Sequence, residues 1–90
     1  MTINKKFKIE LIDGHMVIVD GETQNRCGVA DFNDIKMFLW QLAQDGEITK
    51  QQMLSAVLKE FEISTVLALG EIDIFIKKLK EYGIIDNEKK

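Results

Sequence analysis

The chain contains no proline and only one cysteine, one histidine and one tryptophan, and none of its apolar runs approaches the ~20 residues that a membrane span requires. Each absence excludes something. Without proline, low-complexity stretches or a shift in composition there is no place for a linker, so the 90 residues read as one domain, ordered from about residue 5 to residue 86. A lone Cys27 forms no internal disulfide and has no second cysteine for a metal site, which fits a reducing compartment and a role as a small apolar strand side chain. The opening MTINKKFKIELIDG carries lysines but no continuous apolar signal core and no small-residue cleavage site, so a cytosolic location and no membrane partner are expected. His15 stands alone beside a turn, and no Gly-rich phosphate loop, nucleophile elbow or zinc spacing occurs. Catalysis has no visible owner, and no metal or cofactor is expected.

The balance of charge narrows the reading further. A net charge of −3 argues against a nucleic-acid binder, which needs clustered Lys and Arg to neutralise phosphates. The lysines fall at the front (Lys5, Lys6, Lys8), late in the chain (Lys77, Lys78, Lys80) and at the end (Lys89, Lys90), interleaved with or flanked by acids as on solvated faces. What the chain has in quantity is apolar residues, 46% of the total. A domain this short buries roughly 60% of its unfolded surface, so most of that apolar content goes into one core and little remains to wall a deep pocket.

The order of patterns gives an α+β domain. Phe7, Ile9 and Leu11 alternate with Lys8 and Glu10, the period of a half-buried strand. Asp13-Gly14 suits a two-residue hairpin turn, which pairs Ile12 with His15, Leu11 with Met16 and Ile9 with Ile18. That register puts Met16 and Ile18 on the core face and Val17 and Val19 on the outer face beside Glu10 and Lys8. After Asp20-Gly21 a polar third strand is expected over Thr23 to Val29, with Cys27 and Val29 inward and Gln24 and Arg26 outward; with Asn25 and Gly28 in it, it reads as an edge strand. Three helices follow. The first, capped by Asn33 or Asp34, turns Ile35, Phe38, Leu39 and Leu42 inward, packs Trp40 against a neighbouring element and ends at Asp45-Gly46 with a left-handed glycine. The second opens on a Thr49–Gln52 capping box and buries Met53, Leu54, Val57, Leu58 and Phe61. The third, capped by Ser64 or Thr65 and weakened at Gly70, runs to about Tyr82 and stops at Gly83; Ile84 and Ile85 pack behind it and Asn87 to Lys90 fray.

The third helix carries more apolar surface than one core needs. Ile72, Phe75, Ile76 and Leu79 share the inward side, whereas Leu67 and Ile74 lie with Glu71 and Lys78 on a second, mixed stripe that suggests a partner.

The stretch FNDIKMFLWQLAQDGEIT from Phe32 resembles the motif of the PqqD-like proteins, with Asn33, Leu39, Trp40, Leu42, Gly46 and Thr49 at or near the family's marked places. Glu71, Phe75-Ile76, Leu79 and Gly83-Ile84 resemble the family's final helix, so residues 32 to 85 carry the likeness and the hairpin matches in topology alone. Ile35-Lys36 replaces the family's Thr-Gly or Thr-Ala, and one extra residue lies between Trp40 and Gly46, which marks a divergent branch rather than the pyrroloquinoline quinone pathway member. The resemblance implies a small winged-helix-like fold without catalytic activity. It also implies a partner: the leader segment of a ribosomally made precursor peptide, held as an added strand and delivered to a maturation enzyme, often a radical S-adenosylmethionine protein. The implied binding residues are Gln24, Asn25, Arg26, Cys27, Gly28 and Val29 on the third strand and Leu67, Glu71, Ile74 and Lys78 on the last helix, with Glu71 and Lys78 reading charges on the peptide. The chain is expected as a monomer or weak homodimer. A winged-helix DNA-binding regulator and a dimerisation module using the same edge are the rival readings; salt titration of DNA binding and sedimentation at two concentrations separate them.

Overall fold

The computed structural model describes residues 1–85; the frayed tail expected at Asn87 to Lys90, and Asp86 before it, lie outside the described residues. Strands β1 (Phe7–Ile12), β2 (His15–Asp20) and β3 (Arg26–Val29) are followed by helices α1 (Asp34–Asp45), α2 (Lys50–Glu60) and α3 (Thr65–Glu81). The sheet is antiparallel in the order β1-β2-β3.

Turn chemistry fixes the hairpin. Asp13 and Gly14 both have positive φ, 52° and 81°, as a type I′ turn demands, and the register pairs Ile12 with His15, Leu11 with Met16 and Ile9 with Ile18. The helices start where side chains take up orphan N–H groups: Asn33 accepts from Lys36 N, Thr49 and Gln52 form a reciprocal capping box, and Ser64 accepts from Leu67 N. At the end of α3, Gly83 at φ 74° lets its N–H reach Lys80 O and the Ile84 N–H reach Leu79 O, a Schellman closure that folds Ile84 back into the core.

Between the sheet and the helices lies one core of Ile18, Leu39, Trp40, Met53, Val57, Ile72, Phe75 and Leu79. Phe32 joins two helices in it, its ring centroid 5.5 Å from Phe75 and 6.2 Å from Trp40. The inward sides expected for α3 and for Trp40 are those observed.

Several expectations are corrected. Leu11 is 75% exposed, next to the hairpin turn on β1, an edge strand with β2 on one side. Val17 and Val19 are buried despite facing away from Ile18. They sit on the central strand, Val17 between its partners Glu10 and Val29 and Val19 between Lys8 and Arg26, so flanking side chains shelter them on both sides. Phe38 is half-buried and meets Phe61 edge-on at 5.5 Å, at the margin of the core rather than in it, and Leu58 is exposed on α2. Gly46 has an extended backbone (φ 167°), not a left-handed one. The ordered chain starts earlier than residue 5: Ile3 is among the most buried side chains, and its N–H donates to Ala43 O at 3.0 Å.

Candidate functional site

Strand β3 is shorter and more irregular than its sequence suggests. Gln24 has φ 66°, donates its N–H to Asp20 O at 2.7 Å and its Nε2 to Gly21 O at 2.8 Å, and so closes a turn instead of opening a strand. Asn25 belongs to the same turn, its carbonyl accepting from Asp20 N. The strand itself runs from Arg26 to Val29, and its pairing with β2 slips by one residue: Val29 stands opposite Val17 and Gly28 opposite Ile18, but Arg26 opposite Val19. Cys27 is the extra residue of a β-bulge.

The bulge resets the faces. Cys27 stays inward against the core, and burial pushes its thiol pKa up, which disfavours the thiolate. Beyond it Gly28 also falls on the core side, and Val29, expected inward, turns outward at 44% exposure. Ala30 N donates to Met16 O at 2.7 Å, which makes Met16–Ala30 a hydrogen-bonded position and Val17–Val29 a non-bonded one. The N–H and C=O of Val29 therefore point to the free edge of the sheet.

One side chain already stands there. Tyr82, the residue that ends α3, lays its ring across Gly28, where an added Cβ would come within 2.5 Å of ring carbons, and donates its hydroxyl to Val29 O at 3.0 Å. Tyr82 thus joins the candidate site, although its own place in the sequence gives no sign of it. A glycine inside a strand is the usual sign of a close approach, and Gly28 carried that sign.

Along α3 the outer stripe divides. Leu67 is 63% exposed and Ile74 54%, single apolar side chains with free surface, and Val66 beside them is exposed too. Glu71 is engaged: Lys36 Nζ lies 2.6 Å from Oε1 and Asn33 Nδ2 3.2 Å, so the start of α1 is tied to the middle of α3. The Lys36 hydrogen bond holds the Glu71 carboxyl below its usual range, with burial opposing and Asn33 assisting. Lys78 is half-buried, and its charge acts on Asp31, just past the end of β3. Asp31 accepts from Met16 N at 3.0 Å and pairs with His15 Nδ1 at 3.3 Å, which together hold its carboxyl below the ordinary aspartate value.

The arrangement brings together a strand edge at Arg26–Val29 that no other described strand pairs, a tyrosine on that edge, and the face of α3 that carries Ile74 and Lys78. It separates Gln24 and Asn25 from the strand and assigns Glu71 to a structural ion pair. Among the described residues no group of three or more His, Cys, Asp or Glu could hold a metal, and no helix is long and apolar enough to cross a membrane. A depression of about 960 Å³ lies on the other flank of α3, lined by Ile48, Asp73, Ile76 and Lys80 among others, and contains none of the expected site residues.

No family model matches the chain, and no curated protein matches it. Solved structures do. TbiB1, in complex with the TbiA(beta) leader peptide, is 16% identical over 100% of both chains with a TM-score of 0.69. Lasso peptide synthetase B1, complexed with the leader peptide, is 22% identical over 91% of this chain and 92% of its own, with a TM-score of 0.61. Three antiparallel strands followed by three helices, the fold implied by the PqqD-like resemblance, is thus the fold that the chain shares with these two proteins.

Proposed function

We propose that the chain is a non-catalytic recognition element that captures the leader segment of a ribosomally made precursor peptide as an added strand on β3 and presents it to a maturation enzyme. The observation that carries this reading is the outward-turned backbone of Val29, on an edge that no other described strand pairs, in a fold shared with two proteins solved in complex with a leader peptide. In strand addition the backbone supplies affinity and side-chain pockets supply register and choice. Arg26 to Val29 give the backbone template, Leu67 and Ile74 the apolar contacts, and Lys78 a positive charge on the same face of α3. Glu71 acts by positioning α1 against α3 and meets the peptide only by giving up Lys36. A radical S-adenosylmethionine enzyme as the recipient is supported by the sequence resemblance alone.

The experiment uses fluorescein-labelled peptides made from short open reading frames that flank the gene. Ile74→Asp should change thermal stability by no more than about 0.5 kcal/mol, as is usual at exposed positions, while weakening binding by more than tenfold. Binding that is unchanged in this variant removes the α3 face from the site.

A further inference from the structure

Tyr82 occupies the place where an added strand would bond. Its hydroxyl holds the Val29 carbonyl, and Val29 is a position on β3 whose N–H and C=O both face the free edge. An antiparallel peptide would exchange two backbone bonds with such a residue. One of the two is already taken.

We propose that Tyr82 is a latch on the β3 edge: its hydroxyl competes with the incoming peptide for the Val29 carbonyl, so that binding requires the tyrosine to let go, and the latch sets affinity and covers the edge in the free protein. The inference rests on the reading of β3 as the docking strand. Three features of the structure support it. The slot under the ring exists because residue 28 has no side chain; an alanine Cβ there would lie 2.5 Å from the ring atoms. The end of α3 is closed by backbone groups, Tyr82 N to Lys78 O, Gly83 N to Lys80 O and Ile84 N to Leu79 O, so the side chain can rotate away without undoing the helix terminus. An unpaired strand edge also invites pairing with the wrong chain, and covering an exposed carbonyl is one way to blunt it.

The test uses peptides selected by display from a random 20-residue library for binding to the wild-type chain, with amide exchange to locate each one. For peptides that protect Arg26 to Val29, Tyr82→Phe removes the hydroxyl and keeps the ring. Affinity should then rise by about threefold to tenfold, the equivalent of one net hydrogen bond. Gly28→Ala displaces the ring by a different route and should speed association in the same direction for peptides that Tyr82→Phe also favours. Equal or weaker binding to Tyr82→Phe by peptides that protect β3 overturns the latch and leaves strand addition standing. A selection in which no bound peptide protects β3 overturns strand addition and the latch with it.

Discussion

At the scale of single residues, Glu71 shows how a side chain on a candidate binding face can be committed to the fold. Lys36 and Asn33 hold its carboxylate, and its pKa lies below the usual glutamate value, first through the Lys36 hydrogen bond. The folded carboxyl therefore binds a proton less readily than the unfolded one. The pair contributes stability above the unfolded value of about 4.3, and that contribution disappears as pH falls through the lower folded value. Lys36→Met should raise the Glu71 pKa, followed by carboxyl carbon shifts in an NMR titration, and should flatten the acid side of the stability profile. A Glu71 pKa that stays depressed in the variant would show that Asn33 and the helix surroundings, rather than Lys36, hold the charge. Asp31 shows the same direction for a different first cause, the Met16 N–H that it accepts at the end of β3.

At the scale of elements, β3 and α3 divide the work. Four residues long and bulged at Cys27, β3 offers little ladder of its own, and its bulge is what turns Val29 outward. A proline at position 29 would delete an N–H that the β2 ladder does not use, whereas one at 28 would cut a bonded position. Val29→Pro is thus expected to keep the hairpin amides protected in hydrogen exchange while lowering peptide affinity by tenfold or more. Loss of protection across β1 and β2 in this variant would place the Val29 N–H inside the fold instead of on its edge. Helix α3 meets its obligations with Ala68, Ile72, Phe75 and Leu79 buried, which leaves Leu67 and Ile74 exposed one step round the same cylinder. Exposed apolar residues are ordinary when single. What gives these two meaning is their place on a helix whose C-terminal cap, Tyr82, reaches over to β3.

At the scale of the whole molecule, what was legible in the sequence was what local chemistry decides. Asp13-Gly14 fixed the hairpin register, Thr49 and Gln52 the start of α2, and Gly83 the end of α3, because each acts within a few residues. Tertiary arrangement decided the rest. Val17 and Val19 are buried because β2 is the central strand, and Ile3 because it reaches Ala43 from the far end of the chain. The strand period put the two valines on the outer face, and Ile3 lies outside every periodic segment. The one-residue slip at Cys27 moved Val29 to the opposite face, since a period of two cannot survive an inserted residue, and the turn closed by Gln24 on Asp20 and Gly21 kept Gln24 and Asn25 out of the strand. Tyr82 was hidden for a related reason: the cap of a helix and a glycine 54 positions before it become a pair only when the sheet is folded.

Strand addition on β3 is the central claim, and backbone amide exchange of the chain with and without a bound precursor peptide tests it most directly. With peptide present, protection should rise at Val29 and along the outward-facing amides of Arg26 to Val29, while the β1 edge exchanges as before. Saturated binding that leaves the β3 amides unchanged, or that protects β1 in their place, would contradict it.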